Sequence, residues 1–580
     1  MPAATSRRIL VYTLILFAAS VLYTQAGLNI ETQAVTVPLV ERLNDFSLFA
    51  GDGFAEALMG FPSVLWHVVA VPARAVPLGP LLLVLFLLER LLVLYAAGRL
   101  ARAFVPGSEL ATVGAMALFG FAIRPLLGSG TIVENYFEHT GLAVAFLLLA
   151  IAAFHEARPV AWAVWTALAF NATSMYGTFA LVYFGAAFLL DPGYRREWIR
   201  WARTFGLLLA LCAFPLVLAA RALGDPLRDP GTWLKVSRFR SWWHMYPLRW
   251  ERADFLVAGA LLGLLVLFVG LGGGAFHRLR RHALVWSGAA VAWLSLAYLG
   301  AYVFVSPKIL LGQPGRATDL WICFAAMTIV AIGAAKLESE PGASSVAGDE
   351  LSRETWGWPG RLSVAAFVGP FILWTPTGWI LAAAGLAGLA IPPVWRFVFD
   401  RGNPRRVALL LVSWCCLSAL LLVAIRASRT GLTEALVERP HAVVREVAVW
   451  ARSSTPREAV FLVDPGSDPD WDQFMGLSER SVFTNWEEGT AIHWSPNYAA
   501  EWVRRLALLG VDVDAEGDDL DPFTLGGAFQ DLSDGDVERL RAQARVRYWV
   551  VSERRRSGYP AVFRSKGYKV LDLEGELVFH

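Results

Sequence analysis

Long apolar runs recur along the first 425 residues, separated by short basic segments or by longer mixed ones. A helix that crosses the hydrocarbon of a bilayer needs about 20 mostly apolar residues. Runs of that kind predict thirteen spans, near 9–28, 80–100, 108–126, 140–156, 159–178, 178–191, 203–221, 253–275, 283–304, 317–335, 362–375, 379–396 and 407–425. The pairs around 159–191 and 362–396 are short for two crossings and too long for one. Residues 61–79, FPSVLWHVVAVPARAVPLG, are also apolar, but Pro62, Pro72 and Pro77 interrupt them and Arg74 lies within them. Proline in a helix interior costs about 3 kcal/mol. The segment is therefore expected to be interfacial or re-entrant, with a true span as the alternative.

Basic residues concentrate in short cytoplasmic loops, which fixes orientation. Clusters occur at Arg7–Arg8, 99–102, 194–203, 277–282 and 401–406, with His155 and Arg158 between two spans. Thirteen spans put all of them on the N-terminal side. The N-terminus is then cytoplasmic, and the pieces 29–79, 127–139, 222–252 and 305–316, with everything after 426, lie outside. A cleaved signal peptide is the other reading of the first run, but further apolar runs throughout favour a retained span. The Gly/Ser/acid-rich segment 338–355 reads as a flexible cytoplasmic loop.

From about residue 440 the pattern shortens. REVAVWARSSTP predicts a helix ending before Pro456, AVFLVDP a buried strand, and RSVFTNW a second strand. NYAAEWVRRLALLG predicts an amphipathic helix stopping at Gly510. A helix capped by Ser533, the strand RVRYWVVS and a terminal hairpin in YKVLDLEGELVFH complete the tail. Strands alternating with helices suggest a small α/β domain. It carries no Gly-rich phosphate loop and no G-x-S-x-G elbow, hence no active site of its own.

Composition agrees with this division. The 580 residues are 56% hydrophobic and 17% charged, with a mean hydropathy of +0.48; soluble domains are about 25% charged. Net charge is +2, but residues 426–580 balance at −7 and the rest at +9. The expected fold is thus an α-helical polytopic membrane protein with about 13 transmembrane helices (1–425) and a small C-terminal α/β extracytoplasmic domain (426–580). The four cysteines, Cys212, Cys323, Cys415 and Cys416, all fall in apolar segments and form no disulfide or zinc pattern.

Candidate chemistry lies in the outside loops. The first carries Glu31, Glu41, Asp45, Asp52 and Glu56. Asp52 has the most telling context, because Gly51 and Gly53 let the backbone approach a ligand closely; simple solvation is the other reading for each acid. In the second loop Glu134 and Glu138, with His139 beside them, would share a helical face and hold a divalent metal with Asp52. Alternatively they form a polar helix start. Lys308 and Arg316 in SPKILLGQPGRATD suit a lipid-linked phosphate, or snorkel to headgroups. WLKVSRFRSWWHMYPLRW (233–250) reads as an interfacial segment or a cover over a substrate. Glu89 and Arg90 lie within the second span, where inter-helix pairing is the expected role.

The layout, the first loop VPLVERLNDFSLFAGDGF, the motif QPGRATDL (313–320) and the tail stretches WARSSTPREAVFLVDP, LSERSVFTNWEEG and EWVRRL resemble the GT-C superfamily of multi-pass glycosyltransferases. They are most similar to an uncharacterised bacterial branch. The resemblance implies a membrane enzyme of the bacterial inner membrane that moves a sugar from a polyprenyl-phosphate-linked donor to an extracytoplasmic acceptor. It implies an acid of the first loop as general base or metal ligand, hence Asp52 with Asp45 second. It further implies Arg316 and, after it, Lys308 as lipid-phosphate ligands, with Mg or Mn as the metal at Glu134 and Glu138. Its partners would be the lipid-linked donor and the bilayer, and no nucleic acid. The first loop lacks an adjacent pair of acids and the second lacks D-x-D, so a non-catalytic protein handling lipid-linked glycans, a scaffold or transporter, is the alternative.

Overall fold

The computed structural model describes residues 3–121, 127, 133–224, 226–271, 276–339, 404–466 and 469–575. The expected spans 362–375 and 379–396 and most of the loop 338–355 lie outside these.

Eleven of the thirteen expected spans fall wholly or largely on described residues, and each contains helix there. Among the described residues six stretches are long and apolar enough to cross a membrane: Arg7–Thr24, Leu78–Phe104, Arg252–Gly270, His277–Val303, Pro307–Glu338 and Arg405–Thr430. The chain is an integral membrane protein. Other runs make shorter apolar helices, among them Glu109–Phe121, His139–His155 and Ser174–Leu190. The doubtful pair 159–191 forms two helices, Pro159–Ala172 and Ser174–Leu190, and the break falls at Thr173, whose backbone is extended, rather than at 178. The 203–221 run is also two helices, Trp198–Leu211 and Ala213–Gly224. The proline-rich segment contains only a ten-residue helix, Val64–Ala73, with Pro72 near its end. That is too short to span, as three prolines dictate.

Nearly every tail element forms where the residues predict it. Helix Ala442–Ser454 stops before Pro456. Helix Tyr498–Leu509 ends on Gly510 at φ +97°, a left-handed conformation that glycine adopts without strain. Ser533 closes a capping box with Asp536 on helix Asp534–Ala544. Two short strands come first in the naming, β1 (Ala26–Gly27) and β2 (Val437–Glu438), which pair in parallel. The tail sheet then contains β3 (Val460–Leu462), β4 (Ser481–Val482), β5 (Val546–Ser552), β6 (Ala561–Ser565) and β7 (Tyr568–Asp572), in the order β4-β3-β5-β7-β6. Strands β4, β3 and β5 run parallel, while β7 and β6 are antiparallel. Of the expected terminal hairpin, residues 576–580 lie outside the described residues; Tyr568–Asp572 pairs backward with Ala561–Ser565, with Lys566 and Gly567, both at positive φ, in the turn between them.

One core joins the tail to the loops. Leu39, Val40, Phe54 and Leu58 of the first loop, and Trp233 and Phe239 of the third, are buried in the same cluster as Trp471, Phe474, Trp502 and Trp549 of the tail. The Trp233 indole donates to the Ile492 carbonyl at 3.1 Å, and Trp494 to Ala57 at 3.0 Å. WLKVSRFRSWWHMYPLRW, expected at the membrane interface or over substrate, is therefore docked on the tail through helix Pro230–Arg240.

Candidate functional site

In the first loop, Gly51 turns the chain at φ +79° and delivers Asp52 to the start of helix Gly53–Leu58. The Asp52 carboxylate accepts from the Phe54 and Ala55 amides, at 2.9 and 3.4 Å, as an N-cap does. It also lies 3.5 Å from the Arg505 guanidinium. Arg505 in turn reaches Glu488 at 3.5 Å and Glu501 at 3.0 Å, and donates to the Phe483 carbonyl at 2.9 Å. Glu488 is completely buried and accepts from the Tyr498 hydroxyl at 3.0 Å; burial, with Asp52 nearby, pushes its carboxyl up to about 8 against the pull of Arg505. Asp52 is thus taken up by a helix cap and an ion-pair network with the tail. Asp45 sits at the surface, paired with Arg457 and Ser47. Its carboxyl is held below the usual range, chiefly by the hydrogen bonds from Ser47.

A second group of charges gathers elsewhere. Glu134 stands within electrostatic reach of Glu138, Glu31, Arg90 and Arg316. Burial first, then Glu138 and Glu31, push its carboxyl up to about 8. Glu138 and Glu134 do not share a helix, because the helix starts at His139 with Glu138 as its cap. The Glu138 oxygens are engaged by His139 Nδ1 and the Thr140 amide, both at 2.5 Å. These contacts outweigh burial and hold Glu138 below its usual range. Among the described residues no group of three His, Cys, Asp or Glu side chains is arranged to hold a metal ion. Each Glu138 oxygen thus already has a partner, and Glu134 lies outside the helix that Glu138 caps.

The intramembrane pair has a defined task. Glu89 accepts from the Glu138 amide at 3.2 Å, and Arg90 donates to the Glu134 carbonyl at 2.5 Å and to Thr24. Adjacent residues of one helix thus clamp the second loop at both of its acids. Glu31, at positive φ, is solvent-accessible. Enclosure by protein and then Glu487, Glu438 and Asp470 of the tail raise its carboxyl above the usual range.

Arg316 closes this group. QPGR forms a turn in which Gln313 is left-handed (φ +46°) and Pro314 starts a 3-10 segment. A Cβ on Gly315 would meet the Trp250 ring at 2.8 Å, so only glycine fits there. Arg316 donates to the Gln313 side-chain oxygen and to the Tyr176 hydroxyl, both at 3.3 Å, and Tyr176 donates to Asp319. Both direct partners are neutral, and Nε has no acceptor in the described residues. A half-buried guanidinium with spare donors and no directly paired carboxylate is suited to an oxyanion. Lys308 lies on the exposed side of the short helix Pro307–Leu311.

The tail contributes His493 to this site. Its Nδ1 accepts from the Gln313 amide nitrogen at 2.9 Å and its Nε2 meets Ser241 Oγ at 3.0 Å. Arg240, fully buried, binds Glu487 and the Trp486 carbonyl, each at 2.9 Å, and lies between the Trp243 and Trp486 rings. Of the expected site residues, Glu134 and Glu138 stand within electrostatic reach of Arg316, whereas Asp52 and Asp45 pair with Arg505 and Arg457 of the tail and Lys308 is exposed. Tyr176, Gln313, Arg240 and His493 escaped the sequence reading. Only the adjacency of Gln313 to PGR signalled any of them.

A multi-span helical protein carrying a docked α/β tail is the class this architecture defines. Residues 442–509 match the domain of unknown function DUF6798. Across nearly the whole chain the fold is similar to two crystal structures of ArnT from Cupriavidus metallidurans, each 13% identical with a TM-score of 0.46. The apo structure matches over 98% of either chain, and the one bound to undecaprenyl phosphate over 100% of either. No curated protein matches the sequence.

Proposed function

We propose that the protein is a membrane glycosyltransferase of GT-C type, transferring a sugar from a polyprenyl-phosphate donor to an extracytoplasmic acceptor. The observation that carries this reading is Arg316 itself, held by the neutral Gln313 and Tyr176 side chains with Nε left without an acceptor among the described residues; Glu134 stands within its electrostatic reach. The motif resemblance in the first loop, QPGRATDL and the tail supports it. In this mechanism the acceptor hydroxyl attacks the anomeric carbon as the bond from that carbon to the phosphate oxygen breaks. Glu134 takes the hydroxyl proton in its ionised form: with the carboxyl pushed up to about 8, that form is the minority at pH 7 but a stronger base than an ordinary carboxylate, so activity should rise towards pH 8, and general-base help is worth about 10²–10⁴-fold. Arg316 stabilises the departing lipid phosphate. The expected base, Asp52, is assigned instead to holding the first loop against the tail, and no step is routed through a metal.

The test is mass spectrometry of lipid-linked sugars and envelope glycans from a deletion strain complemented with variants. Wild type should restore the pool, while Glu134→Gln and Arg316→Gln, present at equal levels in the membrane, should not. Full restoration by both variants would overturn the enzyme assignment.

A further inference from the structure

The tail segment that matches a domain of unknown function reaches the Arg316 turn through the His493 side chain. His493 sits, half-buried, between Ser241 of the third outside loop and Gln313 of the QPGR turn. Burial, then Arg240 and Arg316, push the imidazole down to about 3, so it is neutral at physiological pH. A neutral ring has one donor and one acceptor nitrogen. Here Nδ1 faces the Gln313 amide nitrogen and is the acceptor, which leaves the Nε2 proton for Ser241. With its nitrogen committed to His493, the Gln313 amide must present its oxygen in the other direction. That oxygen is the one receiving Arg316 Nη1. If the imidazole donated from Nδ1 instead, the amide would have to turn over and set its NH₂ against the guanidinium.

We propose that His493 is a positioning residue for the phosphate site: its acceptor nitrogen sets the polarity of the Gln313 amide, and this aims Arg316 at a polyprenyl phosphate. The proposal rests on Arg316 being the phosphate ligand. It gives the tail a role: through His493 and Gln313 the tail supports one side of an arginine whose other partner is Tyr176. The strained backbone of Gln313 fits this role, since a left-handed non-glycine residue persists only where its surroundings over-determine it.

The test uses the full-length protein in detergent micelles, with undecaprenyl phosphate as the probe and native mass spectrometry as the readout. Asparagine places an amide oxygen near the position of Nδ1, whereas glutamine extends to the position of Nε2. His493→Gln should weaken binding about tenfold, the worth of one hydrogen bond to a group that serves a charge. His493→Asn should recover binding to within about threefold, and Arg316→Gln should abolish it. Wild-type binding by His493→Gln, or equal weakening by the Asn and Gln variants, overturns the proposal while leaving the phosphate site standing. Wild-type binding by Arg316→Gln overturns the phosphate site itself.

Discussion

Replacing Arg505 with methionine removes the one cation shared by Asp52, Glu488 and Glu501. The Arg505 side chain is only 9% exposed, Asp52 5% and Glu488 0%. The three acids are not equally affected. Glu501 keeps Arg504, which holds it through two bonds of 2.7 and 2.8 Å. Glu488, with its carboxyl near 8, is already protonated at pH 7. The charge left uncompensated is therefore that of Asp52, still supported by two helix amides. Breaking a buried pair costs about 3–5 kcal/mol, and these supports place Arg505→Met near the lower end, about 3 kcal/mol. Asparagine caps helices as well as aspartate does, so Asp52→Asn keeps the cap while removing the charge. The double variant should then recover roughly 1–3 kcal/mol of the loss as a coupling term. The assay is denaturation of the full-length protein in micelles, with complementation of the deletion strain measured in parallel. Wild-type stability of Arg505→Met would refute the reasoning. So would an Asp52→Asn variant that keeps full stability and loses all activity, since Asp52 would then be the catalytic acid.

Three further outcomes are expected. Glu488 retains its proton in the folded state and loses it in the unfolded chain between pH 4.5 and about 8. Stability therefore falls as pH rises through that window, by at most about 1.4 kcal/mol per unit; Glu488→Gln should flatten the slope, and a pH series of melts in micelles reads it. Gly315→Ala drives a methyl to 2.8 Å from the Trp250 ring and 3.1 Å from the His244 carbonyl. It should cost about 1–3 kcal/mol and weaken undecaprenyl phosphate binding in the same micelles; unchanged binding would separate the turn from the phosphate site. Arg240→Lys keeps the charge but forfeits the planar contact with two tryptophans and one of two buried hydrogen bonds. A loss of about 1–3 kcal/mol by denaturation is expected, and a neutral result would show that charge alone suffices.

Local signals explain which parts were legible. Gly510 and Ser533 end and begin helices through contacts with immediate neighbours, so their residue types disclose the structure. The proline spacing of 61–79 excluded a long helix for the same reason. The contacts of Asp52 were illegible because its partner Arg505 lies 453 residues away, and an acid between two glycines fits a ligand loop as well as a helix cap. His493 was illegible for a similar reason: 180 residues separate it from Gln313. Glu134 and Glu138 misled through spacing alone, since i, i+4 implies a shared face only within a helix, and the helix begins one residue after Glu138. Apolar runs located helices among the described residues, but hydropathy does not reveal breaks such as Thr173.

The pairing of β1 with β2, together with the bonds from Arg426 to the Leu22 and Tyr23 carbonyls, has a consequence for biogenesis. These contacts join positions about 400 residues apart; Arg426 and Leu22 are separated by 404. At roughly 5–20 residues per second of synthesis, the first loop waits on the order of 20–80 s before its core partners emerge. Throughout that interval Leu39, Phe54 and Leu58 have no tail to cover them. A nascent chain of this design depends on a chaperone or on the membrane surface to shield its first loop, and a truncation that removes the tail leaves that need permanent.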